Sequence, residues 1–241
     1  MTSRTPSILR NVALGLWLFA ASQLALGEDS APASWNITGE CEMVTLPQKA
    51  ALALLPELTD PKRFDSAYAT LQGMLADGSA KLVSTLVVKT QSGEKGEASS
   101  IQEMRYPTEF DPPQVPDGKK AIASGDKDPP TIGITPTAFE TRNIGASLEL
   151  EASTSEGRLI SVKATPSHVR FLRWARTEVG TASNGDRLFV DAPIFHTIRN
   201  TSAIFFRNGQ RVLVGVGKLP DPLEGIELCF LRVSASAADE K

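Results

Sequence analysis

The sequence predicts a mainly β protein with one or two helices, an α+β chain whose antiparallel hairpins form a sheet or a sandwich. Three observations lead to this class. Apolar and polar residues alternate from Ile144 to Ser153, which is the period of a strand with one face in water. Short apolar segments are separated by turn residues such as Asn208-Gly209. Only residues 61–77 have their large apolar side chains at helical spacing.

Length and composition indicate a globular chain without a polyanionic partner. With 241 residues the chain can bury a core that needs no disulfide or metal for stability. Its 41% hydrophobic and 22% charged residues are ordinary for a soluble domain. The formal net charge of −3 supplies no basic surface, so no nucleic-acid partner is expected.

The first 27 residues have the pattern of a secretory signal peptide. Arg4 and Arg10 form a basic start, and residues 12–24 are an apolar run. Ala25 and Gly27 then place small residues three and one before the expected cleavage site. The apolar run is too short for a typical membrane-spanning helix. We therefore expect an exported protein whose residues 1–27 are removed, with an uncleaved N-terminal anchor as the alternative.

If the protein is exported, its two cysteines, Cys41 and Cys229, enter an oxidising compartment. In an oxidising compartment they are candidates for one disulfide that ties the start of the mature chain to its last strand. Two cysteines provide no spacing pattern, however, so two buried thiols that never meet are an equal alternative.

The segment before the main domain, 28–59, is interpreted as a lead-in. It is small and polar up to residue 40, then allows a short strand at 41–46. Periodicity does not decide whether 48–55 is a short helix or an apolar strand.

A helix over 61–77 opens the main domain. Asp60 is a helix-capping residue, and Pro61 suits the first helical position because its missing N–H has no partner there in any case. Gly78 can end the helix in a left-handed conformation. Its apolar stripe is interpreted as a packing face.

The next feature is a predicted hairpin, 82–90 with 95–105, followed by a proline-rich loop. Residues 107–136 hold seven of the sixteen prolines, which exclude a central strand or a long helix. We expect its middle, 114–130, to be mobile. Its ends are expected to be an ordered structural loop, because aromatic side chains there gain by burial; the residues concerned are Tyr106, Pro107, Phe110 and Phe139.

The rest of the main domain reads as further hairpins. Residues 177–186 are polar and contain glycine, which favours a loop, and 234–241 are interpreted as a disordered tail. The expected strands are 143–152, 158–164, 168–174, 188–190, 195–207, 212–216 and 226–233.

No catalytic, cofactor or metal site is expected. The sequence has no nucleophile elbow, phosphate-binding loop, dinucleotide fingerprint or H-E-x-x-H helix. His168 and His196 are interpreted as packed or surface residues. Glu109 and Asp111 are close enough in sequence to share a cation, but hydrogen bonds from turn amides or from Arg142 are the favoured interpretation.

An ordered series of motifs resembles one protein family. The motifs are LVVKTQSGEK (86–95), EMRYPTEFDPP (103–113), PTAFETRNIG (136–145), PIF (193–195) and NGQRVLVG (208–215). Together they resemble the core domain of secretins, the outer-membrane channel proteins of type II and III secretion and type IV pilus systems. The likeness covers about 60–233, in a short form that lacks the family's N-terminal modules and its C-terminal proline-containing segment.

The resemblance implies a secretin-core-like sheet or sandwich and a non-enzymatic envelope role. It implies a structural or assembly component of a secretion or pilus-type system, located in the periplasm or outer membrane. The implied partners are the chain itself and the secretion or pilus machinery proteins. The alternative is a free-standing periplasmic or secreted β-sandwich that binds a ligand or polymer, which an aromatic cleft of Tyr106, Phe110 and Phe139 would favour.

Overall fold

The computed structural model describes residues 34–112, 133–181, 185–221 and 223–238. The predicted signal peptide and the predicted mobile segment 114–130 therefore lie outside the described residues. The described chain forms nine strands and two helices, in the order β1 (Trp35–Leu46), α1 (Gln48–Leu58), α2 (Phe64–Ala76), β2 (Lys81–Gln91), β3 (Lys95–Asp111), β4 (Thr135–Ser153), β5 (Leu159–Thr181), β6 (Arg187–Arg199), β7 (Ser202–Arg207), β8 (Arg211–Lys218) and β9 (Ile226–Ala237). The predicted class, mainly β with two helices, is confirmed.

The strands form two antiparallel sheets. Sheet A has the order β2-β1-β9-β8, and sheet B has the order β3-β4-β5-β6 with β7 also paired to β5. Because β5 pairs with β4 over the same residues that pair with β6 or β7, the last two strands share the other edge of β5. They form one edge strand, interrupted at Asn200 and Thr201. The predicted strand over 195–207 is thus two strands.

Two apolar clusters hold three layers together. The first lies between the sheets and includes Leu148, Leu150, Ile160, Phe206 and Leu231, all fully buried. The second lies between the helices and the opposite face of sheet A, where Phe230 and Leu228 meet α2 residues such as Leu71. Sheet A is therefore covered on both faces, and the region built on these two clusters is called the core below.

The helices differ slightly from their predicted limits. Residues 61–63 form turns and α2 begins at Phe64, while the Asp60 carboxylate accepts a hydrogen bond from the Lys62 N–H. The segment at 48–55 is a helix, which continues through Pro56 to Leu58. The segment is a helix because its apolar side chains are buried against sheet A. Local periodicity could not predict this, since the contacts are with residues far along the chain.

The interpretation of residues 28–40 as a loose lead-in is wrong from Trp35 onward. β1 is a central strand of sheet A, paired with β2 on one side and β9 on the other. The sequence does not indicate this strand because the strand contains polar residues. Glu40 and Glu42 form ion pairs with Arg211 at the surface of the sheet. Gly39 lets the two sheets approach closely, since a Cβ there would overlap the Leu150 side chain.

Two predicted hairpins are crossings between sheets. β2 pairs with β1 while β3 pairs with β4, so the turn after Gln91 carries the chain from sheet A to sheet B. The turn at Asn208-Gly209 carries it back, because β7 pairs with β5 and β8 with β9. Local turn residues predict a reversal of the chain, but the partner of each strand depends on distant residues.

Several strands are longer than predicted. β3 and β4 extend into both ends of the proline-rich stretch, β5 joins the two predicted strands 158–164 and 168–174, and β9 continues to Ala237. The predicted loop 177–186 and tail 234–241 are therefore partly wrong. Backbone pairing with a neighbouring strand holds these polar segments, which have no apolar alternation to reveal them.

Sheet B divides into two hairpins at one end. The β4–β5 pairing ends at Gly145 and Val169, beyond which β3 pairs only with β4, and β5 only with β6. Gly145 has a φ of 124°, and a Cβ there would overlap the Ser100 carbonyl oxygen, so glycine permits the bend. We call 101–112 with 133–145 arm 1, and 169–181 with 185–200 arm 2.

Candidate functional site

The arms are the part of the described molecule that lacks a core. None of their described residues is buried, whereas every buried apolar side chain belongs to the region outside them. Their large exposed apolar residues have 44–53% of their surface in solvent; these are Ile101, Phe139, Trp174, Val179 and Phe189. With no buried residue beneath them, these side chains are available for contact with a partner.

A small aromatic cluster joins the two arms. The ring centroids of Tyr106 in arm 1 and Phe195 in arm 2 lie 5.6 Å apart, and Phe171 packs edge-on against Phe195 at 6.2 Å. The Arg142 guanidinium lies 5.2 Å from the Phe195 centroid and donates a hydrogen bond of 3.3 Å to Thr197 Oγ1. The arms therefore lie face to face, with partly exposed rings between them.

The predicted structural-loop residues lie in arm 1. The segment from Tyr106 to Asp111 pairs with the segment from Thr135 to Glu140, which places Pro107 opposite Phe139 and Phe110 opposite Pro136. The Tyr106 hydroxyl donates to Glu140 at 3.1 Å. Loss of surrounding water, and then the Glu140 hydrogen bond and charge, raise the pKa of Tyr106.

Phe139 does not join the other two aromatic residues. Tyr106 and Phe110 line a cleft of about 730 Å³ between the arm tips, together with Val179, Leu188, Val190 and Pro193. Phe139 instead lies under the Arg105 guanidinium, 4.5 Å from its ring centroid, and is 45% exposed. The expected three-residue aromatic cleft thus contains two of its members, with apolar residues from arm 2 completing it.

Sheet B has two edges without a strand partner in the described residues. One is the outer edge of β3 and the other is the outer edge shared by β6 and β7. Pro107 lies in β3 and Pro193 in β6, and proline is tolerated in such edge strands because it cannot donate to a neighbour. Open edges of this length are templates for pairing with another chain.

The arms carry opposite charge. Arm 1 has four carboxylates and two arginines in its described residues, a formal charge of −2. Arm 2 has five arginines and three carboxylates, a formal charge of +2 with histidine neutral. An electrostatic attraction between arm 1 of one molecule and arm 2 of another follows from this difference.

A buried ionic group marks the base of arm 2. The Glu227 carboxylate, on β9 of sheet A, is 2% exposed and accepts hydrogen bonds from His168 Nδ1, at 2.9 and 3.0 Å, and from Arg170 Nη2. Arg170 Nη2 also donates to Thr45 Oγ1 at 3.2 Å. Burial raises the pKa of Glu227, but His168 and Arg170 outweigh it and hold that pKa below its ordinary value.

Sequence reasoning missed this group. His168 is interpreted there as a packed or surface residue, and its partner Glu227 is fifty-nine positions away on the other sheet. The apolar sequence around Glu227 contains the one available signal, because a carboxylate inside a buried strand needs a partner. His196 lies opposite Arg170 in the β5–β6 pairing, and its Nδ1 is buried without a hydrogen-bond partner among the described residues.

The two cysteines lie side by side in sheet A. Cys41 on β1 and Cys229 on β9 are both buried, and their sulfur atoms are 3.5 Å apart. The structure contains them as free thiols, with Cys41 opposite Leu231 and Cys229 opposite Met43. The hydrogen bond with Cys41, followed by burial, raises the pKa of the Cys229 thiol. Whether the pair is joined in the exported protein stays a prediction.

The described residues contain no group of three histidine, cysteine or carboxylate side chains that could hold a metal ion. Arg142, a predicted partner of Glu109 or Asp111, lies instead against Phe195 and Thr197. In the described part of the chain, no helix has the length and apolar character needed to cross a membrane.

Comparison with known proteins gives only a likeness of fold. No family model and no curated protein matches the sequence. Among solved structures, the chain is similar to the InvG secretin domain of the Salmonella SPI-1 injectisome, at 12% identity and a TM-score of 0.36, over 86% of this chain and 62% of that one. The type II secretin GspD of enteropathogenic Escherichia coli has 11% identity, a TM-score of 0.35 and coverages of 86% and 68%.

A third similar structure is the type IV competence pilus secretin PilQ of V. cholerae. It has 11% identity and a TM-score of 0.32, over 86% of this chain and 59% of that one. The chain thus spans less than two thirds of the length of the InvG and PilQ chains that it resembles. At these identities and TM-scores the likeness is one of fold alone and shows neither a family nor a role for this chain.

Proposed function

We propose that this chain is a non-enzymatic, exported envelope protein that works by assembling with copies of itself, as a structural component of a secretion or pilus-type system. The observation that carries the proposal is the pair of arms without a core. The residue motifs that resemble secretins supply the type of system, and the signal-peptide pattern supplies the compartment.

The arms need a partner for energetic reasons. An isolated two-stranded hairpin is marginally stable in water, because ordering each residue opposes folding and little apolar surface is buried in return. Arm 1 and arm 2 are each such hairpins beyond Gly145 and Val169. Nothing among the described residues covers their exposed apolar side chains, and we infer that another molecule packs on them.

Another copy fits this requirement. The two open edges, β3 and β6–β7, lie at opposite sides of the same sheet, and their arms have opposite charge. Pairing of β3 in one copy with β6–β7 in the next is a head-to-tail contact, which generates a closed ring or an open filament. It also removes the exposed edges and extends the hairpin ladder of each arm by further strands.

The cleft between the arm tips supports a second candidate function. Its volume of about 730 Å³ and its lining by Tyr106, Phe110 and Pro193 suit an apolar or aromatic ligand. A free-standing sandwich that binds such a ligand would act as a monomer. Oligomeric state therefore separates the two candidates.

Size-exclusion chromatography with light scattering tests the proposal, on the full chain purified from the envelope with and without detergent. A multi-copy particle is expected. Arg173→Glu, in arm 2, should weaken assembly most at low salt, since it lowers the charge of that arm to zero. Lys49→Glu, an exposed change on α1 outside the arms, should leave assembly unchanged. A chain that stays monomeric under all these conditions would overturn self-assembly and favour the ligand-binding candidate.

A further inference from the structure

The core has everything needed to fold as a single subunit. Both of its apolar clusters are built from residues outside the arms, and sheet A is covered on both faces. Its first and last strands, β1 and β9, pair over their whole length. A free copy of the chain therefore has a stable region that does not depend on any partner.

The arms have the opposite character. Their backbone is held by one hairpin ladder each. Their side-chain contacts with one another are the partly exposed cluster of Tyr106, Phe171 and Phe195 and the contacts of Arg142 with Phe195 and Thr197. Segments with few buried apolar contacts and exposed backbone hydrogen bonds open at a small free-energy cost. Nothing in the described part of one chain covers their outer faces.

The boundary between the two regions is sharp. On β4 it is Gly145, where the strand bends away from β5. On β5 it is the ionic group of His168, Arg170 and Glu227, which attaches the last buried residue of that strand to sheet A. Opening of the arms can therefore stop at these positions without exposing the core.

We propose that the arms of a free subunit are open, and that they fold only when the arms of a second copy cover them. This inference rests on the proposed self-assembly and specifies its mechanism: docking and arm folding are one step. The second copy is the partner because the arms are complementary in charge and border the two open edges of one sheet. The ordered arms of the structure are then the form that they have in the assembly.

Such coupling has a functional consequence. Apolar arm surface is presented as an ordered template only within an assembly, which limits pairing of free subunits with wrong partners. The charges on both arms stay available for long-range attraction while the backbone is open, because they do not depend on a fixed conformation.

Hydrogen–deuterium exchange with mass spectrometry tests this on the full chain, in dilute monomeric and in assembled form. In the monomer, peptides from 101–112 and 169–181 should exchange near the unfolded rate while peptides from β1 and β9 are protected. Assembly should slow exchange in the arms by at least on the order of a hundredfold and change the core little. Arg173→Glu should keep the arms open at concentrations where the parent chain has assembled, and Lys49→Glu should behave as the parent.

Each other outcome contradicts a particular statement. Arms that are protected in the monomer overturn the coupled folding, even when the chain assembles as proposed. Arms that are open in a chain that no concentration assembles overturn both the proposed self-assembly and the second copy as the partner that folds them. Assembly that leaves the arms open overturns the coupling but leaves the proposed function intact.

Discussion

The same strand has two environments in this molecule. In β4, residues 146, 148, 150 and 152 are buried between the sheets and alternate with polar residues. In the other half of β4, residues 135–144 are exposed or half-buried on both faces. The hydrogen-bonded ladder with β3 continues through both halves. Pairing therefore does not distinguish the core from the arms, but burial does.

The alternation of apolar and polar residues along a strand therefore depends on whether one of its faces is buried. A strict period of two appears where one face is covered within the chain, and it fades where neither face is covered. An unpatterned but well-paired strand thus indicates a surface that the isolated chain leaves open.

The cysteine pair should be the largest single contribution to the stability of the core. If the exported protein contains a Cys41–Cys229 disulfide, its long loop predicts a stabilisation of roughly 3–5 kcal/mol. Thermal unfolding with and without a reductant measures this. Alkylation of the unfolded, unreduced chain should label no thiol, and labelling of both cysteines would show that the bridge is absent.

Phe206 and Phe205 provide a matched test across one strand of sheet B. Phe206 is fully buried between the sheets, so Phe206→Ala should lower the free energy of unfolding by about 4 kcal/mol. Phe205, its neighbour, is 68% exposed, and Phe205→Ala should change stability by less than about 0.5 kcal/mol. Denaturant unfolding of both variants measures the difference. Equal losses would mean that the outer face of β7 is covered in solution.

Glu227→Gln removes the charge that neutralises Arg170 at the base of arm 2. Because it leaves a partly buried guanidinium without its carboxylate, the variant should lose about 3 kcal/mol. Glu149→Gln is the control, since its ion pair with Lys95 is exposed and should contribute no more than about 1 kcal/mol. Urea titrations at neutral pH measure both losses.

The pH dependence of the same pair follows from the pKa of Glu227. That pKa is lowered in the folded chain, so its stabilising contribution is present above the ordinary value of 4.5 and is lost as the pH falls through the folded value. The stability difference between the parent and Glu227→Gln should therefore shrink below about pH 4.5. A difference that is constant down to acid pH would mean that Glu227 is not ionised in the folded protein.

Many strands of the core could be predicted from the sequence, but few of the pairings and contacts between those strands could. The alternation in β4, the turn at Asn208-Gly209 and the last strand are local signals, and each was recognisable. The central position of β1, the hydrogen bond between His168 and Glu227 and the two crossings between sheets depend on residues far apart in the chain. No periodicity within one segment contains that information.

The arms were partly predictable for a different reason. Proline-rich composition at 107–136 indicated a loop, yet strands continue into both of its ends because each is held by the other's backbone. Proline excludes a central strand but not an edge strand. Composition alone therefore underestimated the strands where only one edge is paired.

Gly145 tests the boundary between the regions. Gly145→Ala places a Cβ against the Ser100 carbonyl at a positive φ, and should lower stability by about 2 kcal/mol or detach arm 1 locally. Gly73→Ala is the control: Gly73 is inside α2 with open space around it, so the change should stabilise by about 0.5–1 kcal/mol. Unfolding curves of the assembled form give both values, and a Gly145→Ala protein as stable as the parent would contradict the bend.

Tyr106 gives the smallest effect and the sharpest contrast between free and assembled arms. Because its ring packs against Phe195 only where the arms are ordered, Tyr106→Ala should lower the stability of the assembled form by about 1 kcal/mol per subunit and that of the monomer little. Phe139→Ala should cost the assembled form less, since Phe139 contacts mainly Arg105. Deletion of residues 119–127 should cost less than Tyr106→Ala if the middle of the proline-rich stretch has no structural role.

If the arms fold on assembly, Tyr106→Ala should weaken association far more than it destabilises the monomer. Tyr106→Phe should retain most of the association, because the ring rather than the hydroxyl makes the contact with Phe195. Chemical unfolding of the monomer and light scattering of the assembly measure the two quantities separately. A Tyr106→Ala chain that assembles normally would show that this aromatic contact is a feature of the subunit alone, and a more damaging deletion would place a binding or structural element in the middle of that stretch.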